Sequence, residues 1–277
     1  MASIRQPAVA GSFYPASASE LNKLLDECFN HSPLGPRGVS NPSPELIAGM
    51  VPHAGLIYSG PCAAHFYSRL DPSVQRLILI GVNHRARGHR AALSPWETWR
   101  TPLGDVAVDQ GINEYLKARV EFLQRESYAH TEEHSIEVQL PFLQRRLDRF
   151  TIAPISLAHI STDECAELGE AIASYCQGGK GTLILASSDL SHYLSPKQTD
   201  DLDRLAVAQV LGMNPDGLLK VTETQNITMC GVIPTAVMLC AAKALGVKQA
   251  TLLKHCHSGD VMAMSKVVGY ASVALER

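Results

Sequence analysis

The stretch LIAGMVPHAGLIYSG (residues 46–60) begins with six apolar residues, LIAGMV, and then breaks into turn residues that carry a histidine, His53. A short apolar run closed by turn signals reads as a buried strand, and a helical pattern follows over about 61–70. The same grammar recurs along the chain. Further strands are expected at RLILIGV (76–82), TIAPISL (151–157), TLILAS (182–187), ATLLKHC (250–256) and VVGYASVAL (267–275). Helical patterns occupy 18–29, 109–119, 134–148, 162–176, 198–212 and 233–245, with stop signals at Gly246 and at the Gly178-Gly179 pair. Continuous apolar strands alternating with amphipathic helices predict an α/β fold: one domain over 1–277, with a mixed, largely parallel central sheet covered by helices on both faces. The Pro-, Gly- and Ser-rich segment 31–45 reads as an exposed connector rather than a domain boundary.

Composition narrows the function classes. Of 277 residues, 45% are hydrophobic and 18% charged, and the formal net charge is −3. Such a balance offers no concentrated basic face for nucleic acid or anionic membranes. The N-terminal MASIRQPAVAGSFYP has no long apolar core, and no apolar run approaches the roughly 20 residues that span a bilayer, so a cytoplasmic location is expected. Seven cysteines without a C-x-x-C pair suggest neither a disulfide framework nor a zinc knuckle.

Polar residues cluster at the carboxyl ends of the expected strands. His53 follows the first, His84 follows the second in ILIGVNHR, and Asp189 and His192 follow LILASSDLSH. In an open parallel sheet those ends face one crevice, where residues distant in sequence converge on a ligand. Cys230 in NITMCGVIP, just before a helix, is a fourth candidate. Imidazoles with one anionic ligand suit Fe, Cu, Zn or Ni and leave positions open on the ion, as a catalytic metal site requires. Asp189 and His192, three residues apart, suit an orienting carboxylate and an acid/base group beside such a metal.

Other features have simpler readings or compete with these. Arg85 and Arg87 in HRARGHR could attract an anionic substrate at the crevice mouth. In EEHSIEVQLPFL (132–143), helix capping accounts for Glu133 and Glu137, with Thr131 as the cap and Pro141 interrupting the helix, whereas His134 reads as a residue facing substrate or supporting a ligand. HCH (255–257) resembles a metal tract, but a structural role is the simpler reading. Ser187 or Ser188 near Asp189 and His192 would suit a serine hydrolase, yet the G-x-S-x-G elbow is missing, as are the P-loop and G-x-G-x-x-G.

RQPAVAGSFYP (5–15), VPHAGLIYSG, ILIGVNH, WRTPLGD, EHSIEVQLPFL, SSDLSHY and CGVIP, in this order, resemble the Memo family. The resemblance implies a fold similar to class III extradiol ring-cleaving dioxygenases, which hold non-haem Fe(II) with two His and a carboxylate. It also implies a mononuclear Fe(II) or Cu site on His53, His84 and Cys230, with Asp189 and His192 as further pocket residues and His192 in the place of the dioxygenases' acid/base histidine. A thiolate where those enzymes have a carboxylate favours softer metal chemistry and argues against simple ring cleavage. The expected function is therefore that of a metal-dependent oxidoreductase acting on a small polar or anionic substrate, with His134 assisting catalysis. The alternatives are a peptide- or protein-binding module that keeps the pocket without turnover, and a ring-cleaving dioxygenase. Association with radical-SAM and AMMECR-type proteins is a further expectation from the resemblance.

Overall fold

The computed structural model describes residues 3–38, 41–178 and 181–277; Gly179, half of one expected helix stop, lies outside them. Twelve strands form among the described residues: β1 (Ile4–Arg5), β2 (Leu46–Val51), β3 (Arg76–Val82), β4 (Ala91–Leu93), β5 (Thr98–Thr101), β6 (Gly104–Val108), β7 (Gln124–Arg125), β8 (Thr151–Leu157), β9 (Thr182–Ser187), β10 (His192–Leu194), β11 (Gln249–His257) and β12 (Val267–Glu276). They join one mixed sheet in the order β1-β5-β6-β8-β3-β9-β2-β12-β10, with β11 on β12 and β4 against β7 and β8. Its middle, β6-β8-β3-β9-β2, is parallel throughout, and β12 runs antiparallel to β2.

The helices are α1 (Ala18–Asp26), α2 (Leu56–Ser68), α3 (Gln110–Lys117), α4 (Tyr128–Thr131), α5 (Leu140–Arg146), α6 (Thr162–Gln177), α7 (Pro196–Leu211), α8 (Pro215–Thr224), α9 (Val232–Ala244) and α10 (Ser258–Val261). They cover both faces of the sheet, and β3 shows how. Successive strand side chains point to opposite faces. Leu77 and Leu79 pack with Leu21 of α1, Phe66 of α2 and Phe142 of α5, whereas Ile78 and Ile80 pack with Leu168 of α6 and Val237 of α9. Each buried Leu or Ile is worth about 1.5–3 kcal/mol. A strand buried on both faces is therefore apolar throughout, which is why β2, β3, β8 and β9 match their expected limits to the residue.

Helix limits depart more. α1 ends at Asp26 and passes into a π turn over Glu27–His31, which begins inside the expected 18–29 helix and runs past its end. α2 begins at Leu56, ahead of the expected start, and carries Pro61 within it. The expected 134–148 helix is instead a 3-10 turn over Glu137–Gln139 leading into α5. Pro141 does not interrupt that helix but sits in its first turn, where a missing N–H has no partner to lose. Among the described residues no helix is long and apolar enough to cross a membrane.

Candidate metal centre

β3, β9 and β2 are direct neighbours, so their carboxyl ends open side by side. His84 stands two residues beyond β3, Asp189 two beyond β9 and His53 two beyond β2. A third imidazole arrives from the segment after α4. Gly81 lets it in: a Cβ there would lie 2.5 Å from Ile136 Cγ1 and 2.6 Å from Ser135 Oγ. His134 accordingly stacks on His84 at 4.6 Å between ring centres and 13° between planes, and both rings meet the edge of His53, at 5.4 and 5.1 Å. One ring nitrogen from each of His53, His84 and His134 lies within 4.8 Å of the other two, and this group could hold a metal ion.

Hydrogen bonds fix which nitrogen His53 and His84 offer. Ser187 Oγ donates its one hydrogen to the Ser135 carbonyl at 2.6 Å and accepts from Gln139 Nε2 at 2.9 Å. Its remaining lone pair faces His53 Nδ1 at 2.8 Å, so Nδ1 carries the proton and Nε2 presents a lone pair. Gln139 cannot flip: its nitrogen donates to the Pro52 carbonyl while its oxygen accepts from Tyr67 OH. Glu133 does the same for His84 and lies beside the His134 ring. Oε1 accepts from His84 Nδ1 at 2.9 Å and lies 3.4 Å from His134 Nδ1, and the backbone N–H groups of His84, His134 and Ser135 also donate to this carboxylate. A histidine that ligates through one nitrogen commonly donates from the other to such a partner.

Electrostatics favours neutral imidazoles. Burial drives the proton affinity of His53 well below the ordinary value, with His134 and His84 adding to the effect. Burial likewise lowers His134 to about 4, against the opposing pull of Glu133. Glu133 itself would be raised by burial, but the His84 hydrogen bond, the charges of His84 and His134 and the Ser135 N–H hold it at about 2. An ionised acceptor and unprotonated donors at neutral pH are what a metal site needs.

Cys230 and Asp189 complete the interior. Cys230 Sγ lies 3.1 Å from His53 Nε2, and since that nitrogen presents a lone pair, the thiol donates. A nitrogen and a sulfur bound at roughly 2.0–2.1 and 2.3 Å to one ion sit about 3–3.5 Å apart, so this separation fits two donors to a common metal. Burial, then the Asp189 carboxylate, pushes the Cys230 thiol well up. Asp189 accepts from the backbone N–H groups of His53 at 2.7 Å and Ala54 at 3.2 Å, yet burial outweighs them and raises its carboxyl to about 6.

His192 stands half-buried at the edge, close enough for its charge to act on His53 and Asp189. Its Nδ1 lies 2.8 Å from the Thr228 carbonyl and must donate to it, leaving Nε2 as the acceptor. The β10–β12 register slips between His192 and Leu194; the bulged residue, Tyr193, adopts φ +60° and is exposed. Arg85 and Arg87 both pair with Glu132 on the surface.

Of the glutamates of 132–143, Glu133 takes local N–H groups as a cap would and also reaches His84, whereas Glu137 acts over long range. Glu137, fully buried, accepts from Arg5 Nη1 at 2.6 Å, Ala8 N at 2.8 Å, Val9 N at 3.0 Å and Tyr14 OH at 2.6 Å. These bonds tie the N-terminal segment across the site and set Phe13 against His134, 4.5 Å between ring centres. Neither Glu133 nor Glu137 is distinguishable from a capping residue by spacing alone.

The profile of Memo-like proteins matches residues 5–274. MEMO1 family proteins of Methanopyrus kandleri, Methanosarcina acetivorans and Ignicoccus hospitalis are 39%, 40% and 42% identical, each comparison covering at least 98% of both chains. Among solved structures, an uncharacterized protein from Escherichia coli K12 superposes with a TM-score of 0.51 at 11% identity, over 81% of this chain and 99% of its own, a likeness of fold alone. Whole-length matches at these identities place the sequence: the chain belongs to the Memo-like protein family.

Proposed function

We propose that the protein is a mononuclear metal-dependent oxidoreductase, holding Fe(II) or Cu on the Nε2 atoms of His53, His84 and His134 and on the thiolate of Cys230. The observation that carries this reading is that one ring nitrogen from each of His53, His84 and His134 lies within 4.8 Å of the other two, with His53 and His84 tethered through Nδ1 and Glu133 beside His134. Once bound, an iron or copper ion supplies an open position and one-electron chemistry. A hydroxyl and two carboxylate contacts orient the donors, and an aromatic wall at Phe13 excludes water from one side.

His84 is the most exposed of the three rings, so a small polar substrate enters past it. His192, with Nε2 unprotonated, takes a proton from that substrate, and Asp189, raised to about 6, exchanges protons near neutrality. Arg85 and Arg87, shared with Glu132, give the rim a net positive charge that draws in anionic groups.

The test is elemental analysis of protein prepared without oxygen. One equivalent of Fe or Cu is expected in the wild type and much less in His84→Ala and His134→Ala. Unchanged metal content in both variants refutes the site; bound metal with no oxygen uptake across catechols and small phenols would leave a binding module as the better description.

A further inference from the structure

Behind the Asp189–His192 segment lies a hydrogen-bonded carboxyl–imidazole pair that the metal site does not use. Asp203 of α7 is completely buried, Oδ1 accepting the Ser191 N–H at 2.9 Å and Oδ2 lying 3.0 Å from His255 Nε2. Ser191 sits between Asp189 and His192. The same short segment is pinned from β12, where Leu190 N–H donates to the Gly269 carbonyl at 2.8 Å and Gly269 N–H to the Ser191 carbonyl at 2.9 Å. Gly269 is the residue that admits the carboxylate: a Cβ there would stand 1.8 Å from Asp203 Oδ2. A carboxyl group this deep needs hydrogen-bond partners, and His255 on β11 supplies the one at Oδ2. The His255 ring is one-quarter exposed and borders a cavity of about 420 Å³ lined also by Asp200, Arg204, His257 and Asp260.

We infer that Asp203 and His255 are positioning residues: together they hold the backbone of Ser191 so that Asp189 reaches the His53 amide and His192 reaches Thr228. The inference deepens the reading of the metal centre and rests on it for its functional weight. It also gives the first histidine of the HCH tract a role that spacing alone does not reveal. Loss of His255 strands a buried carboxylate, which then recruits water or another donor and releases its hold on Ser191. The displacement passes to both residues that flank Ser191 and from Asp189 to the turn that carries His53.

His255→Phe removes the partner, and His255→Gln restores an N–H donor in nearly the same place. Each is read in the full chain by thermal melting, by the imidazole ¹H–¹⁵N resonances of His53 and His192 without metal, and by the visible spectrum and affinity of added Co(II). For His255→Phe, shifted His53 and His192 resonances, an altered Co(II) band and about tenfold weaker Co(II) binding are expected, with wild-type behaviour regained in His255→Gln. If His255→Phe fails to fold, Asp203→Asn, which keeps shape and removes charge, is read in the same way. A lowered melting temperature with both imidazole resonances unmoved would overturn the inference and leave the pair purely structural. Should the wild type bind no Co(II), the metal reading fails, and the imidazole resonances still decide for or against the positioning role.

Discussion

Glu133→Gln is the substitution that most directly separates metal binding from folding. The carboxylate accepts four hydrogen bonds at 2.8–2.9 Å, three at Oε1 from His84 Nδ1, His134 N and Ser135 N and one at Oε2 from His84 N. A carboxamide has only one acceptor oxygen. Placed at Oε1 it keeps three bonds and turns its NH₂ against the His84 N–H, losing one bond and opposing two donors in a nearly buried site. That costs about 1–3 kcal/mol, or very roughly 2–10 °C in melting temperature for a chain of this size. Metal binding suffers separately, because His84 and His134 lose the negative charge that orients their Nδ1 atoms. Loss of such a partner weakens affinity roughly 10–100-fold, about 1.4–2.8 kcal/mol. Anaerobic competition against a chromogenic chelator gives the affinity and calorimetric melting gives the stability. Wild-type affinity in a variant that melts several degrees lower would refute the reasoning, since Glu133 would then be a structural residue beside a site it does not tune.

Further outcomes follow from the same contacts. Ser187→Ala removes the acceptor that fixes the His53 tautomer and should weaken metal binding by about tenfold with α2 and β9 intact, as affinity and far-ultraviolet circular dichroism will report. Because the Cys230 thiol is protonated at neutral pH, calorimetry in two buffers of different ionisation enthalpy should find about one proton released per ion in the wild type and none in Cys230→Ser. His130, fully buried between Trp96 and Trp99, is lowered to about 3, by burial first and by Arg5 second. Its folded value lies below its unfolded one, so stability is complete above about pH 6.5 and declines as pH falls toward 3, by about 2 kcal/mol at pH 5. Urea unfolding at pH 7 and 5 should show a loss smaller by that amount in His130→Gln than in the wild type, where the buried His53 and His134 add to it.

The sequence was most legible where burial is two-sided. β2, β3, β8 and β9 are continuous apolar runs because helices cover both their faces, and three of the four carry a site residue two positions beyond their ends. β4, β5, β6, β7 and β10 span only two to five residues, with no run long enough to register. α8 was missed although Asn214 caps it, accepting from Gly217 N–H, and Pro215 opens it; both signals were present in the sequence. The site was half legible. His53, His84 and Asp189 follow from strand ends, whereas His134 lies on no strand end and enters through contacts made possible by Gly81. Glu133 and Glu137 illustrate the limit: beside the local N–H groups that Glu133 takes, His84 lies 49 residues from Glu133 and Arg5 lies 132 from Glu137, distances that no local pattern encodes.

The burial that makes these histidines costly to ionise also makes them available. An exposed imidazole near its ordinary proton affinity competes with a metal for its own lone pair, and more so as pH falls. Here His53 is buried on the end of β2 and His134 lies between Phe13 and His84, so protonation is disfavoured in two of the three rings before any ion arrives. The Nδ1 partners then help decide direction: Ser187 and Glu133 take the Nδ1 hydrogens of His53 and His84, which leaves their Nε2 lone pairs for a ligand. A cluster of this kind is positioned by its neighbours rather than by an ion, and such preorganisation favours binding because little ordering remains to be done when the metal enters. It follows that substitutions at Ser187, Gln139 or Glu133, none of which touches the ion, should weaken binding as truncation of a ligand does, only by less.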